Sequence, residues 1–194
     1  MRELDLAWVA ARLTGERLRG PLLYRPRTTS TNDDALALAA DGAAEGTVVI
    51  AVEQTRGRGR MERTWFGSPD GSLLCSVVLR PTLPAADWPQ LVMLAGEAVA
   101  SACADVTGLP VCTKHPNDVM LNGRKIGGLL LESQAPRYAV LGIGLNVRGE
   151  TGGLPDDLQA TAAFLVSSTS PLTREAVLVA VLNRLDERYA ALCA

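Results

Sequence analysis

Apolar and polar residues alternate along this chain in two periods, and the changes between them outline the elements. Leu6, Val9, Ala10, Leu13 and Leu18 recur at helical spacing, so Leu4–Leu18 is predicted as an amphipathic helix. Pro21–Arg27 reads as a short extended link. Thr28–Asp34 leads into the helix-forming run Ala35–Ala40, where Thr31 and Asp34 resemble a capping pair and the acids suit the helix dipole. The β-branched run Thr47–Val52 predicts a buried strand leading into Glu53–Trp65.

Beyond a Ser68-Pro69-Asp70-Gly71 turn, Ser72–Leu79 is a second strand and Pro81–Asp87 a loop. Trp88–Ala104 is a long helix with Leu91, Leu94, Ala98 and Val99 on its apolar side, and Val111–Thr113 a third strand. Asn122-Gly123 between Val119–Leu121 and Arg124–Glu132 predicts a hairpin through a type I′ turn. Tyr138–Leu141 runs on into Gly142–Val147 as a strand. Arg148–Asp157 reads as a mobile loop, and Thr173–Leu192 as a closing helix. Strands outnumber helices and hairpins join several, so the fold class is α+β, a mixed β-sheet flanked by helices.

Composition narrows this picture. The 194 residues suit one domain, residues 1–194, with 47% hydrophobic and 21% charged residues. No run approaches the roughly 20 apolar residues of a membrane span, and acids stand where a signal peptide would be basic. Cys75, Cys103, Cys112 and Cys193 lack metal-site spacing and read as buried free thiols of a cytoplasmic protein. The net charge of −2 argues against DNA as a partner.

Charge is concentrated locally. Thr55–Trp65 carries four arginines and one glutamate, about +3 by count. Gly57 and Gly59 alternate with these forks, so the stretch reads as an anion clamp or as a solvated turn. A P-loop is absent, and Gly57-x-Gly59-x-x-Glu62 misses the dinucleotide fingerprint. A second cluster, Lys114-His115-Pro116-Asn117-Asp118, ends a strand, with Lys125 on the far hairpin arm. The pairs Gly127-Gly128 and Gly142-x-Gly144 are read as leaving room beside their strands for a ligand.

Taken in order, Ser30-Thr31-Asn32, Glu53-Gln54-Thr55 with Gly57-Arg58-Gly59-Arg60, Trp65 with Ser68-Pro69 and Gly71, Lys114-x-Pro116-Asn117-Asp118, Lys125 with Gly128, and Gly142-x-Gly144-x-Asn146 resemble the biotin protein ligases. The chain differs at Met61-Glu62, where the family has Arg or His and then Gly, and at His115, where it has Trp. The resemblance implies a fold related to class II aminoacyl-tRNA synthetases. It also implies a catalytic domain without the N-terminal DNA-binding and C-terminal β-barrel-like domains of some members.

The implied activity makes biotinyl-5′-AMP from biotin and ATP, with Mg²⁺, and passes biotin to a lysine of a biotin carboxyl carrier protein or domain. Ser30, Thr31 and Gln54 would bond the ureido ring. Gly57, Arg58, Trp65, Lys125 and Gly128 would complete the biotin site. Arg58, Arg60, Arg63, Asn117 and Asn146 would face ATP or the adenylate. Arg60, Lys125 and Asp118 would be catalytic, and Asp118 would hold the metal or form a salt bridge. His115 is read as packing in preference to acting as a base. Dimers occur in the family. Alternatives are a lipoate or octanoyl ligase or transferase, and a non-catalytic biotin- or adenylate-binding homologue.

Overall fold

Seven strands form one mixed sheet in the order β1-β2-β3-β7-β6-β5-β4. The computed structural model describes residues 4–193; the acidic stretch Met1–Leu6 falls half outside them. The strands are β1 (Leu22–Thr28), β2 (Val48–Gln54), β3 (Ser72–Leu79), β4 (Val111–Lys114), β5 (Asp118–Leu121), β6 (Arg124–Gln134) and β7 (Tyr138–Asn146). Among the neighbouring strands of the described residues, only β1 and β2 run parallel. The helices are α1 (Leu6–Ala10), α2 (Thr31–Ala40), α3 (Gln90–Thr107) and α4 (Arg174–Leu192).

Both faces of the sheet are covered, which is why β3 is buried along its whole length. Alternate residues such as Val48, Ile50, Cys75 and Val77 join the large core with α1, α3 and α4. Val49, Val78 and Val140 point the other way and pack against Ala35 and Ala39 of α2. Beyond Val140 on that second face stand Gly142, paired with Leu130 of β6, and Gly144, paired with Gly128. With three glycines on it, this part of the sheet face leaves a hollow beside the start of α2.

The predicted β3, the hairpin and the last helix hold almost to the residue. Asn122 and Gly123 take left-handed φ of 49° and 78°, as the hairpin turn requires. Thr173 caps α4 by accepting from Ala176 N.

Three expectations are corrected. The first helix spans only Leu6–Ala10; past it Asn183 of α4 donates to Arg12 O and accepts from Thr14 N, and buried Asp186 accepts the backbone N–H groups of Glu16, Arg17 and Leu18. A Cβ on Gly15 would collide with the same carboxylate. The link at Pro21–Arg27 is strand β1, which gains its hydrogen bonds from β2. Thr31 does not cap α2. Ser30 is the N-cap without a side-chain bond, and the Thr31 N–H and hydroxyl reach Gln54 Oε1 at 2.7 and 3.1 Å.

All four cysteines are free, but Cys112 is exposed rather than buried. Burial pushes the Cys75 and Cys103 thiols up to about 12. No helix among the described residues is long and apolar enough to cross a membrane.

Candidate active site

The hollow is a cavity of about 570 Å³ between the α2 start, β6, β7, the arginine loop and the segment 154–162. At one end Ser30, Thr31 and Gln54 form a polar cradle. Ser76, behind it on β3, stands 2.7 Å from Thr31 Oγ1 and 2.6 Å from Asn32 Oδ1. Gln54 Oε1 is taken by Thr31. Its Nε2 and the Ser30 hydroxyl make no hydrogen bond among the described residues, and both residues line the cavity.

Trp65 forms the middle. Its ring lies on Gly144 and Gly128; a Cβ at Gly144 would stand 2.5 Å from Cε2, and one at Gly128 3.2 Å from Cζ3. Its indole N–H is buried with no acceptor among the described residues, so a bound molecule offering one would satisfy it. Lys125 Nζ sits 5.7 Å from the ring centroid and 2.6 Å from Asp118 Oδ1. A bulge between Val119 and Met120 shifts the hairpin register, so Lys125 pairs with Met120 while Asp118 pairs with Gly128.

The glycine pairs therefore make room first for protein. Gly142 admits Asn32, Gly144 admits Trp65, and Gly127 lies against Leu145. Gly57 does not line the cavity, because its backbone closes against Trp65, whose N–H donates to Gly57 O at 2.9 Å.

The arginine loop forms one wall as a small hairpin, with Arg58 bridged to Thr64 and the Gly59 N–H donating to Arg63 O at 2.6 Å. At its tip Met61 and Glu62 take left-handed φ of 56° and 59°, strain of about 1 kcal/mol or more each for residues with a Cβ. Met61, 81% exposed, gains no burial in return. Arg63 lines the cavity without a partner among the described residues, and Arg60 reaches Asn117 Oδ1 at 3.2 Å.

Arg58 is different. Nη1 donates to Asp33 at 2.6 Å and Nη2 to both oxygens of Glu132. Burial lowers the guanidinium pKa, yet the two carboxylates outweigh it and the net shift is upward.

At the far end Asn146, 5% exposed, is engaged inside the protein. It accepts from Ser72 Oγ at 3.2 Å and donates to Ala163 O at 3.2 Å. These bonds and the Lys125–Thr161 backbone contact pin Leu154, Leu158 and Ala160–Ala162 as a wall. Sequence reasoning missed this wall, and the even apolar spacing of Leu154, Leu158 and Ala162 was its one signal. Asn117 ties the β4–β5 turn to β6 through Leu129. His115 is exposed, lines no part of the cavity and has no partner among the described residues, which corrects its reading as a packing residue.

Residues 24–147 match the biotin/lipoate A/B protein ligase family. The chain belongs to that family. The bifunctional ligase/repressor BirA of Bacillus spizizenii is 37% identical over 173 residues, covering 87% of this chain and 53% of its own length. The biotin–[acetyl-CoA-carboxylase] ligase of Mycobacterium tuberculosis is 42% identical over 126 residues, 62% of this chain and 47% of that protein.

Among solved structures, the Aquifex aeolicus biotin protein ligase in complex with biotin and ATP aligns with a TM-score of 0.76 at 28% identity, over 89% of this chain and 71% of that one. The Leishmania major biotin protein ligase in complex with biotinyl-5-AMP aligns at 0.73 and 28% identity, over 88% and 75%. The expected mixed α+β fold is thus the family's catalytic fold. The chain spans about half the length of the relatives it matches in sequence.

Proposed function

We propose that the chain is an ATP-dependent biotin–protein ligase that forms biotinyl-5′-AMP and passes biotin to a lysine of a biotin carboxyl carrier domain. One observation carries the reading. A single cavity joins unsatisfied polar groups at the Ser30–Gln54 end, an indole floor, and a cationic middle of Lys125, Arg60 and Arg63. A ureido ring, an apolar linker and a carboxylate meet those three zones in order. A fatty acyl chain would leave the cradle's polar groups unmet, at about 1–3 kcal/mol each, which favours biotin over lipoate or octanoate.

In the first step a carboxylate oxygen of biotin bonds to the α-phosphorus of ATP as the bond to pyrophosphate breaks. Lys125, Arg60 and Arg63 offset the repulsion of the two anions and the charge on the leaving group. Asp118 orients Lys125. Asn146 and Asn117 act by holding the 154–162 wall and the β4–β5 turn in place, and Arg58 by holding the loop.

In the second step the acceptor lysine attacks the biotinyl carbonyl carbon and AMP leaves. Roughly one lysine in 2,500 is neutral at pH 7. Asp118 Oδ2, which has no hydrogen-bond partner among the described residues, is the oxygen left to accept its proton.

Mg²⁺ is expected with ATP, but the donor set does not build a resident metal site. No three His, Cys, Asp or Glu side chains converge among the described residues, and Asp118 is ion-paired with Lys125. The cation belongs with the nucleotide phosphates. DNA is not among the proposed partners; a homodimer is compatible with the reading and is not required by it.

Biotin-dependent exchange of pyrophosphate into ATP tests the proposal, with octanoate and lipoate in parallel. Exchange with biotin alone is expected. Binding of biotin without exchange makes the chain a non-catalytic homologue, and exchange with octanoate or lipoate instead makes it a lipoate-type ligase.

A further inference from the structure

Arg58 is tied to the body of the protein from two directions. Asp33 lies in the first turn of α2, two residues beyond Thr31. Glu132 lies on β6, four residues beyond Gly128. Glu132 is itself fixed by Asn32 Nδ2 at 2.6 Å. Neither carboxylate lines the cavity, and no motif of the sequence includes Glu132. One guanidinium facing two carboxylates has no positive charge left for a phosphate. It does have leverage, because Arg58 stands between Gly57, which closes on Trp65, and Gly59, which closes on Arg63.

We infer that Asp33 and Glu132 are positioning residues that strap the arginine loop and Trp65 over the cavity through Arg58, leaving Arg60 and Arg63 to face the ligand's anion. That they thereby slow escape of the adenylate rests on the proposed ligase reading. Because Asp33 shares a helix with Ser30 and Thr31, the strap fixes the loop to the element that reads the ureido end. With side chains 31–43% exposed, each ion pair is partly screened, so loosening rather than unfolding is the expected result of removing them.

Three variants test this: Asp33→Asn, Glu132→Gln (whose amide oxygen still accepts from Asn32), and the double. Hydrogen exchange of the free chain needs no ligand. Loop amides 56–65 should exchange about tenfold faster in the double variant, a shift of about 1.4 kcal/mol, with β2 and β3 unchanged. In parallel, adenylate release should quicken about tenfold while the biotin Kd, measured by calorimetry, moves less than about threefold.

Raising KCl to about 1 M, where screening acts within ~3 Å, should speed release from the wild type by a larger factor than from the double variant, in which only the contacts of Arg60, Arg63 and Lys125 with the anion remain to be screened. Loop exchange equal to wild type overturns the strap. A fall in melting temperature with faster exchange throughout the sheet also overturns it, by making the pair merely structural. A wild type that forms no adenylate removes the ligase reading, and the exchange result then judges the strap alone.

Discussion

Replacing Gly144 with alanine tests whether Trp65 is held where the cavity needs it. The added methyl would stand 2.5, 2.8 and 2.9 Å from Cε2, Nε1 and Cζ2 of the indole. Carbon atoms in contact sit about 3.5–4.0 Å apart, so the ring must lift by roughly 1 Å. It cannot bend, and the backbone beneath it is locked on both sides, since Gly144 pairs with Leu74 and Gly128. Overpacking of this kind costs about 1–3 kcal/mol. Loss of glycine's freedom in the unfolded chain returns about 0.4–1 kcal/mol. The net fall in stability, up to about 2.5 kcal/mol, lowers the melting temperature by less than about 10 °C. The lift itself goes into the proposed biotin site.

Biotin affinity measured by calorimetry should therefore drop at least about tenfold, or 1.4 kcal/mol, in a protein that stays folded. Two neighbours grade the effect. At Gly128 the nearest atoms lie at 3.2–3.3 Å, and two of the three belong to the flexible end of Lys125, so Gly128→Ala should cost less than about threefold. Gly153 has nothing within 4 Å, and Gly153→Ala should leave affinity as it was. Wild-type affinity in Gly144→Ala, or a larger loss in Gly128→Ala, would refute the placement of Trp65.

Other consequences are measurable in the same way. Lys125→Ala should cut pyrophosphate exchange at least about a hundredfold, yet cost under about 1 kcal/mol in melting, because its ion pair is about a third exposed; equal loss of both would make Lys125 structural. Arg60→Gly removes a cavity cation held by one bond to Asn117, so free adenylate should appear in the filtrate, and unchanged retention would count against its role. Asp186→Asn weakens three backbone bonds to a charged acceptor, about 2 kcal/mol and a drop of roughly 4–8 °C by calorimetry; an unchanged melting temperature would mean that Gly15–Leu18 is held otherwise. Folding keeps Cys75 and Cys103 as neutral thiols, so their contribution to stability is full below pH 9.0 and lost as pH rises toward about 12. At pH 8, iodoacetamide should accordingly label exposed Cys112 first, and rapid labelling of three sites by intact mass would contradict the burial.

What the sequence made legible was local. The Asn122-Gly123 turn needs only its own φ values, and β3 needs only its apolar run. Thr173 announces α4 by capping it. The misses in the elements involve partners far along the chain. Asp186 holds Glu16–Leu18 out of the first helix's continuation from about 170 residues away, and β1 is a strand only because β2 lies beside it. The glycine pairs are read from sequence as room for a ligand, but what enters beside Gly142 is Asn32, and what enters beside Gly144 is Trp65.

The arginine loop shows the same limit in electrostatic form. Counting residues credits it with about +3, but charge acts through what faces it. Arg58 is offset by Asp33 and Glu132, 25 and 74 residues distant in sequence. Glu62 stands exposed at the strained tip, while Arg60 and Arg63 line the cavity. Two loop arginines, Lys114 and Lys125 thus set the potential where phosphate would lie, and Lys125 shares its charge with Asp118. A clamp of that modest strength can hold an adenylate and still release its AMP after transfer. A loop with every arginine free would hold the spent nucleotide harder still, because the phosphate monoester of AMP carries about −1.5 to −2 where the acyl phosphate of the adenylate carries about −1.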